Sequence, residues 1–391
     1  MAESIALPQA GGALRRWLAL AGMALLAACQ VVPKQPPRPV EPIPEDTGPP
    51  STLPADQARH RIALLVPMTG TNAGVGESIA NAANMAVLDT GGKTIRLTTY
   101  DTATGAAAAA QKAVADGNKL ILGPLLAEDV RAVAQVGRAA RVPLISFSND
   151  VSVAGDGAYV MGFVPAQSIG RVVSYARSKG VNNFAGLVPT GLYGQRASAA
   201  MLKAVEASGG RMVVMQSFER SPGAITAAVT KLAAYPGYQA VLIADSGRIA
   251  LQIAPQIKRR SPGVRLLGTE LWNTEGTLST NATMHGAWFA SVSDGLYNTL
   301  SNRYRTRFGK GPYRLASLGY DSVLLVNKIA ASWRPGTPFP NAALQDAGGF
   351  SGIDGAFRFG RDGIAERMLE VQQINPGGFS VVAPAARTFG N

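Results

Sequence analysis

Residues 119–150 read KLILGPLLAEDVRAVAQVGRAARVPLISFSND, and this stretch decides the fold. The apolar run 120–122 stops at Gly123-Pro124 and a β-rich run covers 142–147, so the two bracket room for one helix. Glu128 and Asp129 stand in the first turn of that predicted helix and Arg138 and Arg141 in its last, each sign where the macrodipole favours it. Val130, Val133, Gly137 and Ala140 fall on one stripe at three- and four-residue spacing, the face expected to lie on a sheet. Strand, helix and strand in that order make a βαβ unit, whose strands run parallel with a right-handed crossover. Gly123-Pro124 and the stretch 146–150 then share one edge of the sheet, where open α/β sheets bind ligands.

Working outward, 61–66 (RIALLV) is a buried-strand run, and the loop 69–76 (TGTNAGVG) is expected to open a helix over 77–88. That loop lacks the Lys-Ser/Thr of a P-loop and does not fit GxGxxG, so it reads as a tight strand-to-helix turn. A strand at 94–100 and an alanine-rich helix at 104–115 follow. Past Phe163-Val164-Pro165 the pattern restarts with a helix at 166–179 and a strand at 184–188. LVPTG at 187–191 echoes LVPMTG at 65–70, a weak internal repeat of two similar sheets. Helices at 193–208, 224–234 and 248–258 alternate with strands at 211–218, 240–244 and 264–267, as in parallel sheets covered on both faces. A strand at 287–292 and helices at 296–308 and 317–332 come next, and the glycine-punctuated tail 351–374 reads as β-structure.

A chain of 391 residues exceeds one average domain, which predicts two lobes, and 47% hydrophobic residues supply their cores. The formal charge is +12; Arg15, Arg16 and Glu3 put +1 on the first 28 residues, leaving +11 on the rest. Such a balance suits a solvated basic surface in anionic surroundings. The cationic residues are scattered, with no basic run interleaved by aromatics, so nucleic acid is not an expected partner.

Cys29 is the sole cysteine, which excludes an intramolecular disulfide and a CxxC motif. Residues 14–28 (LRRWLALAGMALLAA) carry the charged and apolar regions of an export signal and are too short to span a bilayer. They run into Leu26-Ala27-Ala28-Cys29, which matches the lipobox of bacterial lipoproteins, so Cys29 is expected to carry a lipid anchor to the membrane. Gln30, where aspartate would favour retention at the inner membrane, points to a periplasm-facing site on the outer membrane. Nine prolines lie between residues 31 and 58. Proline-rich chain extends about 3.1 Å per residue, so this arm spans on the order of 80 Å. The expected organisation is signal peptide 1–28, tether 29–59, one lobe from 60–163 plus 286–333, and a second from 164–285 plus 334–391.

Six stretches, IALLVPMTG, LILGPLL, VPLIS, Leu192-Tyr193-Gly194, LLGTELW and GIDGAFRF, occur in an order that resembles the type I periplasmic binding proteins, the leucine-binding family of extracytoplasmic receptors. The resemblance covers about residues 61–382. It implies an α/β fold of two lobes, each a parallel sheet flanked by helices, joined by three crossovers that form a hinge. The lipobox, the proline-rich arm and VPLISFSND are most similar to penicillin-binding-protein activators within that family, although the helical-repeat domain of the enteric activators is absent. This implies a non-enzymatic envelope lipoprotein that regulates a peptidoglycan synthase; the alternative is a solute receptor of an ABC importer, with an amino-acid-like ligand between the lobes.

The resemblance matches Tyr193 to the tyrosine of the receptors' Tyr-Gly turn and Glu270 to the carboxylate that holds a ligand ammonium. Where the receptors place hydroxyls for a ligand carboxylate, this chain has Ala127 and Asn149-Asp150. The expected cleft residues are Gly123, Pro124, Ala127, Ser146, Ser148, Asn149, Asp150, Tyr193, Asp245 and Glu270, with no cofactor and no metal. An inward Asp150 would repel a carboxylate, so weak binding of free α-amino acids and a preference for amine-bearing groups are expected. His60 and His285 are the only histidines and belong to no HExxH or triad pattern, so catalysis lacks its parts. Asp245 and Glu270 as a glycosidase pair form a third reading.

Overall fold

The computed structural model describes residues 58–389. The export signal, Cys29 and nearly all of the proline-rich arm lie outside the described residues.

The opening βαβ unit is present as β3 (Leu120–Leu122), α3 (Ala127–Ala140) and β4 (Leu144–Ser146). It joins β1 (His60–Val66), α1 (Ala73–Asp89), β2 (Ile95–Asp101), α2 (Ala106–Ala115) and β5 (Ala158–Val160) in a parallel sheet ordered β2-β1-β3-β4-β5. Val130, Val133 and Gly137 of α3 are buried as their stripe predicts, whereas Ala140 is exposed because the helix ends there and Arg141 turns left-handed (φ 57°). Helix α1 begins four residues before the expected 77, absorbing the end of the glycine-containing loop.

The second lobe repeats this plan. It contains α4 (Pro165–Ser178), β6 (Asn183–Pro189), α5 (Leu192–Ala207), β7 (Arg211–Phe218), α6 (Pro222–Ala233), β8 (Ala240–Ile243), α7 (Gly247–Arg260), β9 (Arg265–Gly268) and β10 (Trp288–Ser291). Its parallel strands run β7-β6-β8-β9-β10, the first sheet's order with five added to each number. The LVP echo marks equivalent places in the two lobes. A Cβ on Gly76 of α1 would overlap the Pro67 carbonyl oxygen, and one on Gly194 of α5 would overlap that of Pro189. Each helix therefore packs its first turn against the end of its lobe's first strand through a bare glycine.

Alternation along the buried strands divides each lobe into two cores. Ile62, Leu64 and Val66 face α1 and a later helix, while Ala63 and Leu65 face α2 and α3. In the second lobe Phe184 and Leu242 face α4 and α5, while Leu187 and Val241 face α6 and α7.

The expected lobe boundaries need correction after residue 285. Strand β10 pairs with β9 and so belongs to the second lobe. The chain returns to the first lobe only at α8 (Gly295–Phe308), whose Leu300 and Tyr304 enter that core beside α9 (Ala316–Ala330). It stays there through β11 (Phe350–Gly352), β12 (Gly355–Phe359) and β13 (Ala365–Arg367), because Phe350, Phe357 and Phe359 pack into the same core. Strand β14 (Glu370–Asn375), antiparallel to β10, and β15 (Gly378–Ala383), antiparallel to β14, then complete the second sheet. A short apolar run does not declare which of two sheets it joins; pairing partners decide. The chain crosses near residues 162–164, 292–294 and 368–369, three times as expected, but the second and third crossings fall later than the expected 285/286 and 333/334.

Candidate functional site

The parallel strands of both lobes end at a shared cleft, which holds a cavity of about 490 Å³. The first lobe contributes Asn72 and Val75 from the start of α1, Leu125 and Leu126 before α3, and Phe147 and Asn149 after β4. The second contributes Glu270, Leu271, Asn273 and Thr274 after β9. Phe163, Ser291 and Val292 enter from the crossings, and Arg314 and Leu315 from the turn before α9. The wall is mostly apolar with a few polar groups, the usual composition of a small-molecule site.

Of the ten residues expected in the cleft, Asn149 and Glu270 line this cavity. The remaining eight do not line this cavity, and their partners lie elsewhere. Gly123 (φ 91°) packs so tightly that a Cβ would overlap the Leu65 carbonyl oxygen, and Pro124 accepts from Phe147 N at 3.0 Å. Ala127 packs as the first residue of α3. The Ser146 hydroxyl donates to Pro124 O at 3.2 Å and accepts from Ser148 N, and the Ser148 hydroxyl accepts from Asp150 N. Asp245 is buried and accepts from Arg220 Nε at 2.9 Å. Tyr193 lies 3.4 Å from the Thr269 hydroxyl, and burial followed by the nearby Glu270 charge raises its pKa.

The repulsion expected from Asp150 does not arise. Its buried carboxylate is 2.6 Å from Arg196 and 3.2 Å from Arg131 and accepts from Ser152 N at 2.8 Å. Burial pushes its pKa up, but hydrogen bonds from Arg196 and Ser152 outweigh that and hold it at about 2. Arg131 lies on α3 of its own lobe, whereas Arg196 lies on α5 of the other, so one carboxylate ties the lobes together. The serine hydroxyls at 146 and 148 close on their own backbone, so the side-chain donors lining the cavity come instead from Asn72, Asn149, Asn273, Thr274 and Arg314.

Glu270 sits in a 3-10 turn, Glu270–Trp272, that Trp272 anchors in the second core by donating its indole N–H to Asp245 O at 3.1 Å. One carboxylate oxygen takes the Ser168 hydroxyl, and burial pushes the Glu270 pKa up to about 7.

Sequence reasoning missed a group of charges at the crossings. Arg314 stacks 3.9 Å from the centre of the Tyr297 ring and lies 2.7 Å from Asp354 and 3.6 Å from Asp294. Arg367 donates to Met161 O at 2.7 Å. Asp321 of α9 accepts from Ile353 N and Asp354 N, and burial followed by Asp354 raises its pKa. The available signal was Asp321 itself, a charge within an apolar helix that demands a partner.

A family model for periplasmic binding protein matches residues 60–378. A curated relative, an uncharacterized protein of Rickettsia prowazekii, is 28% identical over 179 residues, 45% of this chain and 48% of its own, so the chain spans about half the length of that relative. A branched-chain amino acid ABC transporter periplasmic ligand-binding protein of Burkholderia xenovorans superposes with a TM-score of 0.70 at 18% identity, over 85% of this chain and 97% of that one. An R. palustris ABC transporter solute-binding protein in complex with benzoate gives 0.60 at 17%, over 85% and 98%. LivJ of Streptococcus pneumoniae in complex with isoleucine gives 0.60 at 20%, over 83% and 100%.

Proposed function

Because the chain belongs to the periplasmic binding protein family, we propose that it is a non-enzymatic receptor that captures a compact, mainly apolar solute between its lobes. The observation that carries this reading is the 490 Å³ cavity lined from both lobes at the carboxyl ends of their strands. Solved structures of like fold add support, since two of them are complexes with isoleucine and with benzoate. The receptor reading now ranks above that of a synthase activator, which rests on the lipobox, the arm and VPLISFSND. Thermal-shift and calorimetric titrations with leucine, leucinamide and benzoate test it. Leucinamide should bind at least about tenfold tighter than leucine, because a free carboxylate would meet Glu270 in the wall and Asp354 and Asp294 beside Arg314. A ligand at a hundred times its Kd should add about 2.7 kcal/mol of stability. No shift with any of the three would overturn the proposal.

The same proposal places the protein in the periplasm on a lipid anchor at Cys29, supported by the export signal and lipobox. Cys29→Ser should release it from membranes without changing its melting temperature, and continued pelleting at high salt would refute the anchor. Wild type crosslinked in membranes should capture permease subunits; a peptidoglycan synthase in their place would restore the activator reading.

A further inference from the structure

The second lobe sorts its charges by strand direction. Its parallel strands begin, and its helices end, at the pole distant from the cleft. Arg177 and Lys179 close α4, Lys231 closes α6, and Lys258, Arg259 and Arg260 close α7. Arg211 and Arg265 open β7 and β9 at the same pole. Hydrogen bonds between the loops join these positions into one face. Arg177 donates to Ser208 O at 2.9 Å, Asn182 N to Gln239 Oε1 at 2.7 Å, Arg265 N to Gln239 O at 2.9 Å, and Arg260 to the Thr230 hydroxyl at 3.3 Å. Of the lobe's carboxylates only Glu206 lies towards this pole; Glu219, Asp245, Glu270, Glu275 and Glu370 stand at the cleft ends of the strands.

Among the described residues none of the eight cations forms a salt bridge. The corresponding end of the first lobe differs, since Lys112, Arg138, Arg303 and Lys328 there pair with Asp116, Asp156, Asp89 and Asp346. The helix macrodipole favours cations where helices end. It accounts neither for Arg211 and Arg265 at strand starts nor for the difference between the lobes. Lys258 donates to Pro262 O and Val264 O, and Arg265 donates to Gly286 O while covering the Trp288 ring at 4.3 Å. Such contacts satisfy the donors and leave the charge uncancelled. Tyr235, 51% exposed, stands in the turn between α6 and β8 on the same face, and that turn is held by Asn183 Nδ2 donating to Gly237 O at 3.0 Å. Cations around an exposed tyrosine suit a lipid headgroup layer, where the cations meet phosphates and the ring enters the interface.

Building on the anchor proposed at Cys29, we infer that this pole of the second lobe is a docking surface for an anionic lipid bilayer, with Lys179, Arg211, Lys231 and Arg259 against the phosphates and Tyr235 among the headgroups. The strands then stand on the membrane. The 7 residues of β6 rise about 23 Å at about 3.3 Å each, which lifts the cleft carboxylates at least two Debye lengths clear of the phosphates.

The test is vesicle co-sedimentation of the full chain carrying Cys29→Ser, so that no acyl chain contributes. Vesicles of equimolar phosphatidylcholine and phosphatidylglycerol should bind at least about tenfold tighter at low salt than phosphatidylcholine alone, and high salt should remove the difference. Arg211, Lys231 and Arg259 take part in no side-chain hydrogen bond or ion pair among the described residues, so their joint replacement by glutamine should keep the melting temperature. It should weaken binding to the mixed vesicles about a hundredfold, at about fivefold for each cation. The same change in net charge made in the first lobe, with Lys93, Arg141 and Arg334 replaced by glutamine, should alter binding by less than about threefold. Tyr235→Ser should weaken vesicle binding by about threefold or more and leave binding of dextran sulfate unchanged. Equal losses from the two triple variants would overturn the inference, and so would tighter binding of dextran sulfate than of the mixed vesicles. If the vesicles do not bind while wild type stays on cell membranes at high salt, the docking surface falls and the anchor stands. Vesicle binding with wild type washed from cell membranes at high salt would support the docking surface and refute the anchor.

Discussion

Trp272→Ala should destabilise the protein by about 3–5 kcal/mol, the range for removing a large buried aromatic side chain. Trp272 has no exposed surface and packs beside Phe289, 6.2 Å between ring centres. Its indole also satisfies the Asp245 carbonyl, which the substitution would leave without that donor. The consequence reaches the cleft, since Trp272 closes the turn that carries Glu270 and Leu271 into the cavity wall. Denaturant titration measures the loss. Trp272→Phe, which keeps most of the packing and loses the hydrogen bond, should cost about 1–2 kcal/mol. A change below about 1 kcal/mol for the alanine variant would show that the turn is anchored elsewhere.

The second large effect is expected at the tie between the lobes. Asp150→Ala removes the partner of Arg196 and Arg131, whose side chains are 27% and 56% exposed. Breaking a fully buried pair costs about 3–5 kcal/mol, and solvent access to both arginines brings the expected loss to about 2 kcal/mol. Arg196→Met is the more selective variant, because it removes only the contact across the cleft. It should raise the radius of gyration of the unliganded protein in X-ray scattering and weaken ligand binding, since the closed state loses its ion pair. An unchanged radius would mean that other inter-lobe contacts hold the cleft.

The carboxyl groups also set the pH dependence. Asp150 is held at about 2, below its ordinary 3.8, so its contribution is complete above about pH 4 and is lost as pH falls towards 2. Glu270 lies the other way, raised from 4.5 to about 7. The folded state then keeps a proton that the unfolded state releases, and stability falls as pH rises from about 4.5 through 7. Asp321 is raised as well and adds in the same direction. The melting temperature should therefore peak near pH 5 and fall on either side, with Glu270→Gln flattening the alkaline limb.

The stretch 119–150 was enough to establish a parallel βαβ unit, because its information is local. A Gly-Pro stop, a 3.6-residue stripe and charges matched to the helix ends each act within a few residues. The LVP echo likewise foretold two sheets of one plan, and strand direction pointed to the edge at which the inter-lobe cavity lies. Only the tertiary structure decided which groups on that edge face the cleft. Ser146, Ser148 and Asp150 have the right chemistry and position in the chain, but hydrogen bonds to the backbone and to arginines on two helices turn them into supports. Arg314 and Asp294 carry no motif, Asp354 lies in the GIDGAFRF stretch that spoke only for the fold, and the three come from separate segments, yet they meet where the chain crosses between lobes. The same holds for β10, whose apolar run fits either sheet until β9 and β14 pair with it. Periodicity and capping are properties of neighbours in sequence. Pairing of strands and neutralisation of buried charge are settled between distant residues, through the desolvation each would suffer alone.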